Sequence, residues 1–143
     1  MSNGLVVSDA DALIALVHTE DANHAKAVAI STKLLEKGVT IILPNTAILE
    51  AITSLKRALN LPEKSALLNT QYQQGVFVVE YINEDIQMLS SKYYKEAISK
   101  KNTAFDAVVA ATAKELNADA IFSFDQWYTK LGFTLASDFA FTS

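Results

Sequence analysis

Short apolar runs alternate with longer amphipathic segments along the chain. The runs are rich in branched and aromatic side chains, as is typical of strands buried on both faces of a sheet. Four strands are predicted at residues 5–7, 39–43, 76–80 and 120–124, with a shorter fifth at 133–135. The segments between them carry apolar residues every three or four positions, as helices that cover a sheet do. The alternation predicts an α/β fold with a mainly parallel sheet and right-handed connections.

Two helix starts can be predicted from capping residues. Asn45 follows Pro44 and is the expected N-cap of a helix whose apolar stripe continues through Leu55. Thr103 is the expected N-cap of a later helix. Asp106 would then occupy the third helical position, where a carboxylate interacts favourably with the positive end of the helix dipole.

Length and composition indicate one domain over residues 1–143. A hydrophobic fraction of 50% supplies one substantial core, and no Pro/Gly/Ser-rich linker divides the chain. The N-terminal apolar stretch is interrupted by Ser8, Asp9 and Asp11, and no positively charged leader precedes it. We therefore expect a soluble, cytoplasmic protein with no membrane association.

Charge and cysteine content narrow the possible chemistry. The chain has no cysteine, which excludes disulfides and thiolate metal sites and fits a reducing cytosol. The net charge is −4, and removing four clustered carboxylates (−4 + 4) would leave a balance of zero. An acidic chain of this kind is compatible with a phosphate-bearing substrate that is met through bound cations.

Two aspartates follow strands directly. Asp9 comes after the first apolar run and Asp125 comes just past the fourth. Each could be an ordinary helix cap, but in parallel sheets ligands collect beyond the carboxyl ends of the strands. The pair therefore indicates a site at that edge of the sheet.

Two further carboxylates lie on helices. Glu50 borders an apolar stripe, where a charge costs free energy unless it is paired or bound to a cation. The alternative is a salt bridge to Lys56 or Arg57. Asp106 is surrounded by alanines that let its helix approach the sheet closely, although it could also serve only the helix dipole.

Converging carboxylates repel one another, and hard divalent cations with oxygen ligands resolve that repulsion. Magnesium or manganese in such a cage suits the hydrolysis of phosphodiesters. Ser123, two residues before Asp125, could hold a carboxylate or a metal-bound water, or could simply end a strand.

Four segments, in this order and spacing, resemble the acidic motifs of the PIN-domain family. They are VVSDADALIAL, VTIILPNTAILEAITSL, NTAFDAVVAATA and AIFSFDQWYTKLGF, and the resemblance covers essentially the whole chain. It implies a three-layer α/β/α sandwich whose five-stranded sheet has the order 3-2-1-4-5.

The resemblance also implies an activity, a metal site and partners. The activity would be cleavage of RNA by a Mg2+- or Mn2+-dependent endonuclease, with Asp9 and Asp106 as the leading metal ligands. All four acids would be catalytic residues of one metal site, in which Glu50 and Asp125 complete the pocket as further ligands or help to position water. Many small members resemble VapC toxins of toxin-antitoxin modules, which implies a homodimer and an antitoxin partner. Asp11 stands where relatives often have Ser, Thr or Asn, and its extra charge bears on cation number or affinity.

Two other readings of the acids stay open. The Asp-x-Asp at Asp9 and Asp11 is similar to the opening motif of haloacid-dehalogenase phosphatases, with Asp9 as nucleophile and Asp11 as general acid. The later motifs fit that family poorly. A PIN-like scaffold that binds RNA or protein without catalysis is the other reading, and the presence of all four acids disfavours it.

The remaining polar and aromatic features carry weaker predictions. A basic run precedes the third motif and fits a solvated helix face better than an RNA path; it comprises Lys92, Lys95, Lys100 and Lys101. Trp127 and Tyr128 are expected to be packing or dimer residues rather than platforms for base stacking.

Overall fold

A computed structural model describes residues 2–142. The strands are β1 (Leu5–Ser8), β2 (Thr40–Pro44), β3 (Val78–Glu80) and β4 (Ala120–Phe122). The helices are α1 (Ala10–Val17), α2 (His24–Glu36), α3 (Asn45–Arg57), α4 (Pro62–Gln73), α5 (Glu84–Glu96), α6 (Ala104–Glu115), α7 (Trp127–Lys130) and α8 (Ala136–Phe139). Strands and helices alternate as the apolar pattern predicts, and the α/β fold class is confirmed.

The sheet is parallel and has the order β3-β2-β1-β4. The four longer predicted strands are confirmed, but the predicted fifth strand at 133–135 is wrong. Only one bridge forms there, between Leu135 and Ile121. The chain turns at Gly132, whose φ is 96°, and Leu135 is already the N-cap of α8, so no room is left for a longer strand.

Helices cover both faces of the sheet, as the alternating orientation of side chains along β1 shows. Val6 is fully buried on one face, in a cluster with apolar residues of α1, α2 and α8. Val7 is fully buried on the other face, against α3, α6 and α7. Because a central strand is covered on both sides, the three-layer sandwich is confirmed.

The predicted cap at Asn45 is wrong. Pro44 occupies the N-cap position and Asn45 is the first residue of α3. The side-chain Oδ1 of Asn45 instead accepts a hydrogen bond at 3.0 Å from the backbone N–H of Ile82. It therefore ties the start of α3 to the segment that follows β3.

Two strand ends lie side by side at the carboxyl edge of the sheet. Ser8, the last residue of β1, pairs with Phe122, the last residue of β4. The backbone N–H of Asp9 continues the pairing and donates to the Phe122 carbonyl at 3.0 Å. Asp9 and the residues after β4 are therefore neighbours. None of the helices within residues 2–142 has the length and the apolar run needed to cross a membrane.

Candidate metal centre

Asp9 lies at the junction between β1 and α1, and only 4% of it is exposed. Its Oδ1 accepts a hydrogen bond from the backbone N–H of Ala10 at 2.7 Å, so the residue does cap α1. Its Oδ2 accepts one from the phenol of Tyr128, also at 2.7 Å. Capping and participation in a site are therefore compatible, because the two oxygens have different partners.

Asp106 is placed by a capping box at the start of α6. Thr103 Oγ1 accepts a hydrogen bond from the Asp106 backbone N–H, while Asp106 Oδ2 accepts one from the Thr103 N–H at 3.0 Å. Six of the residues from Ala107 onward are buried alanines or valines, which let α6 pack closely on the sheet. The predicted cap at Thr103 is thus confirmed, and it fixes the Asp106 carboxylate beside the strand ends.

Glu50 reaches the same place from α3. Its neighbours Ile48 and Ala51 are fully buried, so the glutamate borders the apolar stripe as predicted. Within residues 2–142 the one ion pair is Lys33 with Glu36, and the expected alternative of a bridge from Glu50 to a nearby base is therefore wrong.

Three carboxylates meet at the carboxyl edge of the sheet. One oxygen each from Asp9, Glu50 and Asp106 lies within 4.8 Å of the others. A cavity of about 220 Å³ opens beside them, and Asp125 and Lys101 line it as well. Residues separated by almost 100 positions in sequence thus face one small volume.

Burial and mutual repulsion raise the pKa values of these acids. Burial, then the charges of Asp11 and Asp106, hold the pKa of Asp9 well above its ordinary value. Burial, then Asp106 and Asp11, raise the pKa of Glu50 to about 7. Burial, opposed by the Thr103 N–H, also raises the pKa of Asp106. Ionising these acids in the folded protein therefore costs free energy, and a bound cation would reduce that cost.

The donor set fits a hard divalent cation. All three groups offer oxygen, and no histidine belongs to the cluster. None of the described lysines, arginines or histidines pairs with these acids within 4.0 Å. Oxygen-only ligation of this kind suits Mg2+ or Mn2+ better than zinc or copper.

Asp125 lies at the rim of the cavity and outside the group of three. Its Oδ2 accepts a hydrogen bond from Asn102 Nδ2 at 2.9 Å, and its Oδ1 accepts one from the backbone N–H of Trp127, also at 2.9 Å. Asp125 therefore caps the first turn of α7 while it faces the cavity. Asn102 is buried and is a contributor that the motif pattern does not reveal.

Ser123 and Asp11 form a brace between the two strand ends. Ser123 Oγ lies 2.9 Å from Asp11 Oδ2 and 3.4 Å from Asp9 Oδ2, and it accepts a hydrogen bond from the Asp125 N–H at 3.0 Å. Asp11 Oδ2 also accepts from the Phe124 N–H at 2.8 Å. Ser123 thus holds carboxylates, as one of the two interpretations of its position predicts.

Tyr128 contributes to the site, which the sequence pattern alone does not indicate. Its ring is fully buried against the Val7 face of the sheet, as expected for a packing residue. Its hydroxyl also donates to Asp9 Oδ2, and burial with the charge of Asp9 raises the pKa of the phenol well above its ordinary value. The sequence does offer one signal for this role: a tyrosine lies three residues after Asp125, close to the predicted site. A tyrosine hydroxyl that is buried there needs a hydrogen-bond partner, and a carboxylate can supply it.

The basic run before the third motif divides between solvent and site. All four of its lysines are exposed, as predicted, but only Lys92 and Lys95 lie on a helix face, since α5 ends at Glu96 and Lys100 and Lys101 lie in a turn. Lys101 nevertheless lines the acidic cavity and is the one basic side chain among its described lining residues.

Two solved structures share the fold of this chain. VapC20 of Mycobacterium tuberculosis, a toxin that cleaves the sarcin-ricin loop, superposes with a TM-score of 0.77 at 18% identity, covering 90% of this chain and 96% of that one. FitAcB of Neisseria gonorrhoeae superposes with a TM-score of 0.62 at 18% identity, covering 93% of each chain. At such identities the likeness concerns the fold.

Curated protein sequences gave no match. The family described as "PIN domain" matches residues 6–133, which span all four acids, β2, β3 and β4, and all of β1 but its first residue. The chain therefore belongs to the PIN-domain family.

Proposed function

We propose that this protein is an endoribonuclease that depends on Mg2+ or Mn2+ and hydrolyses RNA phosphodiester bonds. The observation that carries the proposal is the meeting of Asp9, Glu50 and Asp106, whose oxygens lie within 4.8 Å of one another. A buried cluster of unpaired acids costs stability, and metal-dependent phosphodiester hydrolysis accounts for that cost.

Asp9, Glu50 and Asp106 would hold the cation. When bound, it would supply charge stabilisation to the phosphate and make water a better nucleophile at neutral pH. The chain's own residues do the positioning: Tyr128 and Ser123 orient Asp9, and the Thr103 cap orients Asp106. Asp125, at the rim, is available to hold a water by the face that Asn102 and Trp127 leave free.

Lys101 lines the acidic cavity. An RNA backbone that approaches a cluster of carboxylates meets repulsion, and a lysine on the cavity wall offsets part of it. We therefore assign Lys101 a role in bringing the phosphate to the site.

We further propose that the protein is the toxin of a VapBC-type module. The support is membership of the PIN-domain family and structural likeness to the toxin VapC20. On the same family grounds we propose a homodimer, an antitoxin protein partner and a cytoplasmic location, where RNA is met. A monomer mass in light scattering at working concentrations would reject the dimer.

The test is cleavage of a panel of structured and single-stranded RNAs with Mg2+, with Mn2+ and with EDTA. We expect cleavage only with a divalent cation and a loss of at least a hundredfold in Asp9→Asn. Asp138→Asn is the matched control, because Asp138 is exposed on α8 and the substitution removes the same charge as Asp9→Asn does. Cleavage by Asp9→Asn at the rate of the parent protein would reject the proposal.

The contacts of Asp11 and the Asp9→Asn variant together separate the alternatives. A phosphatase of the haloacid-dehalogenase type needs Asp11 as a free general acid. Here Asp11 accepts hydrogen bonds from Ser123, Phe124 and Ala12, so the structure gives that alternative no support. A scaffold without catalysis would keep its RNA or protein binding unchanged in Asp9→Asn and would show no cleavage in the parent protein.

A further inference from the structure

A second, larger cavity adjoins the acidic site. Its volume is about 490 Å³, within the range of roughly 300–1,000 Å³ that small-molecule sites occupy. Lys101 and Asp125 line both cavities, so the two are continuous along one wall. A ligand bound in the larger cavity would therefore lie next to the three carboxylates.

The lining of the larger cavity combines an aromatic ring, aliphatic side chains and cations. Trp127 is half-buried and held in place, because its backbone N–H donates to Asp125 and its ring packs on Tyr128 at 5.5 Å between centroids. Ile98 is entirely exposed on the cavity wall. Lys101 and Lys130 supply positive charge. An aromatic face for a base and lysines for phosphates are the two elements of single-strand recognition.

We propose that this cavity binds one nucleotide of the RNA, the neighbour of the phosphate that is cleaved. The base would stack on Trp127, and the backbone phosphate would lie between Lys130 and Lys101. Glu96, also on the wall, suits the amino group of a base because a carboxylate can only accept hydrogen bonds. The inference rests on the proposed function, since it names the part of the substrate that enters beside the acidic site.

Trp127 makes the test direct, because it is the single tryptophan of the chain. The probe is a single-stranded ribotetranucleotide, titrated into the whole protein in EDTA while tryptophan emission is recorded. We expect saturable quenching as a base stacks on the indole. A tetranucleotide of the same charge with abasic positions should quench several times less, because stacking needs the base.

Lys130→Ala addresses the phosphate contact and leaves the acidic cavity untouched, since Lys130 lines only the larger cavity. The dissociation constant should rise severalfold. The slope of log affinity against log salt should fall by about 0.7, the value for one phosphate contact on a single strand. Lys114→Ala is the matched control: it is also an exposed lysine in the last turn of a helix, about 12 Å along α6 from Asp106.

The outcomes separate this proposal from the nuclease itself. No quenching, equal quenching by the abasic probe, or equal weakening by Lys130→Ala and Lys114→Ala would overturn the nucleotide site. If a peptide quenched the tryptophan emission and the ribotetranucleotide did not, the nucleotide site would also be overturned. The cavity would then be assigned to a protein partner. If the RNA panel is cleaved with a divalent cation but the tetranucleotide does not quench in EDTA, the nuclease stands and this site is rejected. If the tetranucleotide quenches in EDTA but no RNA is cleaved with a divalent cation, the nucleotide-binding site stands and the nuclease is rejected.

Discussion

Asp9 shows how one carboxylate can serve the fold and the site together. Its Oδ1 accepts a hydrogen bond from the first N–H of α1, and its Oδ2 accepts one from Tyr128. One of its oxygens also lies within 4.8 Å of an oxygen of Glu50 and of an oxygen of Asp106. The phenol stabilises the charged form of Asp9 and opposes the rise in pKa that burial and neighbouring charges cause. Tyr128 thus favours the anionic form of Asp9 and offsets part of the effect of burial.

Replacing Tyr128 with Phe removes that hydroxyl and retains the ring. We expect the pKa of Asp9 to rise further, so that a cation must displace a proton to bind. Cation affinity near neutral pH should fall by about tenfold to a hundredfold, as is usual when the partner of a ligand is lost. Calorimetric titration with Mn2+ measures it.

Tyr94→Phe is the control for that substitution. Tyr94 is 51% exposed on α5, and replacing it with Phe removes the same hydroxyl group. Its cation affinity should match that of the parent protein. If Tyr128→Phe binds Mn2+ as tightly as Tyr94→Phe does, the phenol does not position Asp9, and its role is limited to packing.

At the scale of elements, the start of α6 decides where Asp106 points. Thr103 and Asp106 satisfy each other's backbone N–H groups, so the first turn of the helix and the carboxylate are fixed by one motif. The buried small residues that follow press this turn against the sheet. Stability of the helix end and geometry of the site are therefore coupled.

Thr103→Ala should lower the free energy of unfolding by about 1 kcal/mol, the usual cost of a lost N-cap. It should also weaken cation binding, because the Asp106 carboxylate loses its fixed turn. Urea unfolding and Mn2+ titration measure the two effects. Thr32→Ala, at an exposed position inside α2, should leave cation binding unchanged and raise the free energy of unfolding by about 0.5 kcal/mol, because alanine has the higher helix propensity. An unfolding midpoint of Thr103→Ala equal to that of the parent protein would show that the capping box contributes nothing.

A structural feature could be predicted from the sequence where the residues that determine it are close together along the chain. A strand followed by an acid at Asp9, and a threonine three residues before Asp106, are local patterns that carry their own physical reason. Placing Asn45 as a cap failed because its side chain is used by Ile82, 37 residues away. The strand at 133–135 failed because Gly132 and the start of α8 shorten it, which the apolar pattern does not record.

The contacts of Tyr128 and Asn102 were beyond the sequence for the same reason. Both hydrogen bonds span more than 20 positions, and each depends on how α7 and the segment before α6 fold back over the strand ends. Periodicity identifies a residue as buried, but it does not identify the atom that its polar group meets.

At the scale of the whole molecule, the fold places several acids where they destabilise it. Burial and mutual charge raise the pKa values of Asp9, Asp11, Glu50 and Asp106 together. At pH values between the ordinary pKa values of these acids in the unfolded chain and their raised values in the folded chain, the folded protein binds more protons than the unfolded one. Its stability without a cation must therefore fall as pH rises through that interval.

Glu50 contributes the part of this interval between about 4.5 and about 7, because its pKa moves from 4.5 to about 7. In EDTA we expect the unfolding midpoint to fall as pH increases from about 4.5 to about 7 and to change little above it through this group. Excess Mg2+ should restore stability at pH 8, by about 2.7 kcal/mol at a concentration one hundred times the dissociation constant. Denaturant unfolding at pH 5 and pH 8, with and without Mg2+, measures both effects.

Glu50→Gln should reduce the pH dependence in EDTA and the stabilisation by Mg2+, because it removes one of the four titrating groups and one anionic ligand together. Glu20→Gln, at an exposed turn, removes the same charge and should leave both effects intact. A midpoint that rises between pH 5 and pH 7 in EDTA would mean that the acids are stabilised as anions by the protein itself. The folded chain would then have no electrostatic need for a cation, and the carboxylates would have to be explained as partners of groups other than a metal.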